Sequence, residues 1–215
     1  MKDLIIIGAS GFGREVAWLV ERINKMEPTW NLLGFVDDNE KIHGKSINSY
    51  NVLGGCDCLS NYPDAYIVCA VGASKIRKMI IDKVKKMYPY AKFATLIDHT
   101  VEISNYLNIG EGSIICAHTI LTVNIEVGKH VILNLDCTVG HDAILHDFVT
   151  VYPNVNISGN TEIGMCSELG TGTQIIQGKK IGANTIVGAG SVVVKDIPDS
   201  CTAVGCPAKP IKFFE

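Results

Sequence analysis

Leu133-Asn134-Leu135-Asp136-Cys137-Thr138-Val139-Gly140-His141-Asp142-Ala143-Ile144-Leu145-His146-Asp147-Phe148-Val149-Thr150-Val151 carries an aliphatic residue at every sixth position. Followed in both directions, the step of six runs from Ile97 to Val193 through seventeen positions, all Leu, Ile or Val, without an insertion. Those three residue types make up about a quarter of an ordinary chain, so seventeen in register is not chance. Gly follows the aliphatic residue at Gly110, Gly128, Gly140, Gly164, Gly170, Gly182 and Gly188. A period of six fits neither a helix at 3.6 nor a flat strand at 2. It fits short strands joined by tight turns, each strand sending one aliphatic side chain inward.

Three such strands close a triangular coil of about eighteen residues, so residues i and i+18 stack on successive coils. One predicted column is Ile103, Leu121, Val139, Ile157, Ile175 and Val193. Each inward aliphatic contributes roughly 1.5–3 kcal/mol on burial, and these columns form the core. The chain from 93 to 215 is therefore expected to be an all-β parallel β-helix, ended by Pro198 and an extended tail around Pro207-Ala208-Lys209-Pro210.

Residues 1–92 follow a different pattern. Leu4–Ile7 reads as a short buried strand, followed by Gly8-Ala9-Ser10-Gly11-Phe12-Gly13 and a helix from about Arg14 to Lys25. Further strands are expected at Leu32–Val36 and Ala65–Val71, and a second helix from Ser74 to Met87, stopped by Pro89. Alternating strands and helices imply an α/β domain with a small parallel sheet. The domain boundary is expected between Tyr90 and Ile97.

The 215 residues are 47% hydrophobic and 19% charged, with a net charge of −3, which excludes long disorder and a basic nucleic-acid surface. The Lys83–Lys86 run reads as a solvated helix face. Nothing approaches the ~20 apolar residues of a membrane span or resembles an export signal. The eight cysteines, among them the unanswered pair Cys56 and Cys58, read as reduced thiols in a cytoplasmic protein rather than metal ligands.

Two stretches point to chemistry. The glycines after the first strand are spaced G-x-x-G-x-G, which departs from the dinucleotide fingerprint but still allows a phosphate to approach a helix N-terminus. Asp37 and Asp38 end the second strand, where such folds hold a ribose-binding acid. This is either a nucleotide or sugar-phosphate site or a tight turn that binds nothing. The second stretch is Gly140-His141-Asp142. His141 falls in a turn of the repeat, where side chains point outward, and Gly159 stacks one coil later, leaving open space beside the ring. An imidazole can accept a proton at neutral pH, and a carboxylate neighbour favours the charged form. A lone histidine is otherwise commonly structural or merely exposed.

Taken together, Gly8-Ala9-Ser10-Gly11, Phe35-Val36-Asp37-Asp38, Ala70-Val71-Gly72, Asn134 seven residues before His141-Asp142, Gly159-Asn160 and Val204-Gly205-Cys206-Pro207-Ala208-Lys209 cover nearly the whole chain. Together they resemble the bacterial sugar acetyltransferases that join a Rossmann-like domain to a left-handed hexapeptide β-helix. That group includes UDP-4-amino-sugar and perosamine N-acetyltransferases and sialic acid O-acetyltransferases. The resemblance implies transfer from acetyl-CoA to a nucleotide-linked amino sugar during surface-glycan synthesis. It implies His141 as base, Asp142 as the residue raising its basicity, and Asn134 near the reacting groups. By the same resemblance, Ser10, Gly11 and Phe12 hold the phosphates, Asp37 and Asp38 the nucleoside, and Gly72 offers a backbone contact. Gly159, Gly170, Thr171, Gly188 and Ala189 line the coenzyme groove, and the family assembles as homotrimers with the coenzyme between neighbouring solenoids.

The pattern departs from the family at two positions. Relatives commonly place His nine residues after the base, near the thioester, where this chain has Thr150, and Gly where it has His146. Thr150 is expected to keep a coenzyme hydrogen bond, and His146 to be an exposed turn residue or a displaced helper. His99, His118 and His130 fall at other turns without ligand-like grouping, and no metal is implied. Two rivals share the architecture: an O-acetyltransferase for sialic acid or another free acid sugar, and a non-catalytic β-helix binding subunit. A carbonic-anhydrase-like use would need three histidines converging on zinc.

Overall fold

The computed structural model describes residues 1–214, and its two domains share one interface. In the N-terminal domain the strands are β1 (Lys2–Ile7), β2 (Trp30–Val36), β3 (Ser46–Ile47), β4 (Tyr50–Gly54), β5 (Tyr66–Cys69) and β6 (Lys92–Phe93). They form one sheet in the order β3-β4-β2-β1-β5-β6, parallel except for the β3–β4 hairpin. The hairpin lies where no strand is expected from the sequence, because its apolar pattern is too short to stand out. Helix α1 (Gly11–Met26) starts three residues earlier than the pattern suggests, inside the glycine-rich turn, and α2 (Ser74–Met87) lies where expected. The period-2 alternation of β1 divides its side chains between two layers. Leu4 and Ile6 pack with Val16, Ala17 and Val20 of α1, and Ile5 and Ile7 with Ile81 and Val84 of α2.

Because β6 pairs with β5, Phe93 still belongs to the N-terminal sheet, and the β-helix begins at Leu96–Ile97. From there to Val192–Val193 the chain makes seventeen short strands in three parallel faces. Face I carries Ile97, Ile115, Leu133, Val151, Leu169 and Val187; face II carries Ile103, Leu121, Val139, Ile157, Ile175 and Val193; face III carries Ile109, Val127, Leu145, Ile163 and Ile181. Every pairing joins residues eighteen apart, as the spacing predicts. The columns are fully buried from Ile115 upward. Ile103 is instead 43% exposed, because the first coil has no coil beneath it. The third residue of the turns lies in the left-handed region at Asn124, Asp136, Asp142, Asn154 and Asn160, with φ between 54° and 58°, a conformation that Asn and Asp tolerate better than most residues. After Val193 the strand Cys201–Val204 extends face I, and Lys209–Phe213 folds back antiparallel on it.

The outer side of face I is the seat of the N-terminal domain. Leu96, Ile114 and Ile132 join the α1 layer, and Phe148 and Cys166 join the α2 layer. At the centre is Arg77 of α2, 1% exposed, with no carboxylate partner among the described residues. Its Nε donates to the His130 carbonyl at 3.0 Å, Nη1 to Val71 and Gly72 at 2.7 and 3.0 Å, and Nη2 to Phe148 and the Thr150 hydroxyl at 2.9 Å. Burial pulls its guanidinium down to about 10, so it remains charged at neutral pH. At the other end of the seat, Arg22 of α1 holds Asp98, Nη2 to Oδ1 at 2.9 Å.

Beside Arg77 the His130 ring is wholly buried, stacked on Phe148 at 5.1 Å and edge-on to Phe93 at 4.8 Å, with neither nitrogen hydrogen-bonded. Burial first, then Lys85 and Arg77, push it down to about 4, against the opposite pull of Glu111 and Asp147. A histidine held neutral in the fold binds a proton more readily when unfolded, so stability is full above the unfolded pKa of about 6.5 and falls as pH drops towards 4. The wild-type chain is expected to lose on the order of 2–3 kcal/mol over that window through this group. Urea titrations at pH 7 and 4.5 measure the loss, and His130→Phe should remove most of it; an equal pH slope in both proteins contradicts this account.

Candidate active site

His141 sits on the edge between faces II and III, in the turn Gly140–Ala143 that follows Thr138–Val139. The turn is pinned from both sides: the Asp142 amide donates to Val123 of the coil before at 3.1 Å, and the His141 carbonyl accepts from Asn160 of the coil after at 2.8 Å. Gly140 is required there, since a Cβ would lie 2.6 Å from the Gly159 amide nitrogen. Nδ1 of His141 is 2.7 Å from Asp142 Oδ2, while Asn124 donates to Oδ1 at 3.2 Å. These two contacts, His141 first, hold the Asp142 carboxyl below its ordinary range. An ionised carboxylate only accepts, so Nδ1 carries the proton and the Nε2 lone pair is free. Both side chains are about half exposed.

Gly159 does not leave open space beside the imidazole, as the spacing suggests. The ring itself fills it: a Cβ on Gly159 would stand 2.5 Å from Nε2 and 2.6 Å from Cε1. The glycine is thus a seat for the imidazole, and its φ lies outside the left-handed region. Gly159 is buried beneath the half-exposed ring, and a Cβ there would meet only the far end of that flexible side chain. Gly159→Ala is therefore expected to swing the ring away at a stability cost of about 1 kcal/mol while lowering turnover about a hundredfold. Melting and initial rates measured on one preparation check both halves. Higher on the same edge, Ile176 and Val194 are exposed apolar residues, which suits an apolar chain lying along the solenoid.

The N-terminal loops form a second locus. Strand β1 lies between β2 and β5, so the crossovers diverge at its carboxyl end, where open α/β sheets bind ligands. Gly8 turns there with φ +100°, and Gly13 packs so closely on it that a Cβ would fall 2.0 Å from the Gly8 carbonyl. Ser10, Gly11 and Phe12 open α1 with no side-chain cap on its amides. The two aspartates are more engaged in structure than the sequence suggests. Asp37 accepts from the Ala9 and Asn39 amides at 3.0 and 2.9 Å and so braces the glycine loop. Asp38 accepts from the Cys56 amide and from Lys83, both at 3.0 Å, which lower its carboxyl pKa in that order.

The edge between faces I and II carries the column Asp98, Cys116, Asn134, Tyr152, Gly170, Gly188, each eighteen residues from the last. Asn134 is buried, with Oδ1 accepting from the Leu135 amide at 2.7 Å. Gly170 and Gly188, with Thr171 and Ala189 beside them, lie on the upper coils; Gly170 backs onto the Ala189 amide so tightly that a Cβ would be 2.5 Å away. His141 and Gly159 therefore occupy one edge, and Asn134, Gly170, Thr171, Gly188 and Ala189 the next, with face II between them. One chain does not bring them together.

Two side chains are placed differently from expectation. Thr150 is 1% exposed, and its hydroxyl donates to the Gly72 carbonyl at 2.7 Å while accepting from Arg77. It serves the domain junction instead of an open coenzyme groove, because face I is the seat of the N-terminal domain. His146 pairs with Glu162 at 3.1 Å on the edge between faces III and I, one side of the triangle from His141, so it is not a helper within the chain. Tyr152, not singled out from sequence, donates its hydroxyl to Glu168 Oε2 at 3.1 Å; burial and then Glu168 push the phenol up to about 12.

Residues 3–84 match the model of the PglD N-terminal domain. The acetyltransferase domain of PglB from Neisseria gonorrhoeae superposes with a TM-score of 0.88 at 34% identity, over 98% of this chain and all of that one. A histidine-to-asparagine variant of perosamine N-acetyltransferase from Caulobacter crescentus, solved with CoA and GDP-perosamine, gives 0.89 at 26% identity, covering 98% and 97%. Alignments with curated relatives are shorter. That with an acyl-[acyl-carrier-protein]–UDP-N-acetylglucosamine O-acyltransferase of Thiobacillus denitrificans is 33% identical over 111 residues, 48% of this chain and 43% of that protein. The chain thus spans less than half the length of that relative. The α/β domain and the left-handed β-helix match as one unit, and the chain belongs to the family of hexapeptide-repeat nucleotide-amino-sugar acetyltransferases with a PglD-type N-terminal domain.

Proposed function

We propose that the chain transfers the acetyl group of acetyl-CoA to the amine of a nucleotide-linked amino sugar. The observation that carries this reading is the His141–Asp142 pair, half exposed on a solenoid edge with its Nε2 lone pair unclaimed. The coenzyme is supported by a PglB domain solved with acetyl coenzyme A, and the sugar class by the GDP-perosamine complexes of the Caulobacter enzyme. The amine attacks the thioester carbonyl as Nε2 takes its proton. The tetrahedral oxyanion then collapses, breaking the C–S bond, and the imidazolium returns the proton to the CoA thiolate. Such general-base assistance contributes ~10²–10⁴ in rate, and a backbone N–H at the oxyanion adds to it.

A homotrimer with the face II sides turned inward belongs to the same proposal. It sets the edge bearing His141 of one copy against the Asn134 and Gly170 edge of the next. Ile120, Val123, Ile176 and Val194, all exposed on face II or the His141 edge, would be covered. A cytoplasmic setting would keep the thiols reduced; no helix of the described residues is long and apolar enough to cross a membrane. The test is CoA release from acetyl-CoA with a panel of UDP-, dTDP- and GDP-linked amino sugars and free sialic acid. Release with a nucleotide amino sugar is expected; release with sialic acid alone selects the O-acetyl reading, consistent with the internal bonds of Asp37 and Asp38, and no release overturns acetyl transfer to all of them.

A further inference from the structure

Three features converge on Tyr152. It stands between Asn134 and Gly170 in one column, so it separates the expected reacting end of the sugar from the expected coenzyme groove. Its hydroxyl faces the end of β5: a Cβ added at Gly72 would lie 3.6 Å from it, ordinary contact distance. The ring is also held in place. Tyr152 donates to Glu168 Oε2, and Glu168 Oε1 accepts the amide of Ser74, the first residue of α2, at 2.8 Å. A phenol whose single proton is committed to a carboxylate presents only lone pairs outward. It can accept a hydrogen bond from a sugar hydroxyl or amine but cannot donate one.

Resting on the proposed function, we infer that Tyr152, oriented by Glu168, is a specificity residue for the sugar: its phenol oxygen accepts from an N–H or O–H of the sugar ring as the ring passes from the Gly72 loop towards the acetyl donor. The nucleoside diphosphate, held at the glycine loop, does not reach it. The pair therefore discriminates sugars by whether they offer a donor at that position, and a donor lost from such a site leaves a buried acceptor unpaired.

The experiment compares dissociation constants by calorimetry for GDP-perosamine against GDP, and for a UDP-linked 4-amino sugar against UDP, in the wild-type chain and Tyr152→Phe. Wild type is expected to bind one sugar nucleotide more tightly than its parent nucleotide, and the variant to weaken that complex about tenfold with nucleotide affinity unchanged. The phenylalanine keeps the ring, and unaltered nucleotide binding shows that the fold and cradle survive. Equal sugar-nucleotide affinity in both proteins overturns the inference. So does a parallel loss of nucleotide affinity, which marks a structural role, or a wild type that binds sugar nucleotide no better than nucleotide. CoA release is scored separately: a sugar preference that vanishes in the variant without any CoA release defeats acetyl transfer and leaves the assignment of Tyr152 standing.

Discussion

His141→Ala is expected to lower kcat by ~10²–10⁴ with little change in the KM of either substrate, because the lost group acts on a proton that moves only in the transition state. The ring is half exposed and rests on Gly159, so its removal opens no core cavity and the melting temperature should stay near that of wild type. Asp142→Asn removes the charge that favours the imidazolium but keeps a hydrogen-bonding side chain, and a smaller loss, roughly tenfold, is expected. Initial rates at saturating acetyl-CoA with the best acceptor decide the matter. A His141→Ala protein that turns over as fast as wild type would remove the imidazole from the chemistry and leave the edge as scaffolding.

Arg77→Met should produce a stability loss as large as that of truncating a core side chain. The guanidinium is enclosed, and its hydrogen bonds reach carbonyls of the β5–α2 loop on one side and of the β-helix turns on the other. Each buried carbonyl left without a donor costs roughly 1–3 kcal/mol, so a loss on the order of 3–5 kcal/mol follows even if some relax. Because the contact joins two domains, the variant is also expected to unfold in two steps, with the β-helix the later one. Arg77→Lys, which keeps the charge but has three donors on one nitrogen, should fall between. A single urea transition within 1 kcal/mol of wild type for the methionine variant would show that the apolar seat alone holds the domains together. Nucleotide binding should weaken with the junction, since Gly72 is tied to both Arg77 and Thr150.

What could be read from the sequence was periodic or local. The step of six identified every inward column and, by adding eighteen, the stacking of Gly159 on His141. The adjacency of His141 and Asp142 sufficed to pair them. What could not be read was contact between distant segments. Arg77 lies in a helix rich in lysine, and nothing nearby marks it as the one basic side chain of α2 that turns inward. The rule that turn residues of the repeat point to solvent holds for His141 but fails for His130 and Phe148, because α2 covers their edge. Thr150 and Tyr152 are two residues apart on the same strand and its turn; Thr150 is buried between Gly72 and Arg77, whereas Tyr152 is half-buried and reaches Glu168, a division set by where the N-terminal domain sits. For Asp37 and Asp38 the location after β2 was legible, but the amides of Ala9, Asn39 and Cys56 that occupy them were not.

The unbroken register of the solenoid makes it a vernier on which chain length sets address. One residue added anywhere between Asp142 and Gly170 would rotate every later side chain off its corner, separating Gly170 and Gly188 from Asn134 beneath them. Duplicating eighteen residues in the same stretch would return each side chain to its own corner one storey higher. Such a protein could fold and keep its histidine, yet hold the tail a storey further from it, so the height between them is a dimension that evolution or design can change only in whole floors.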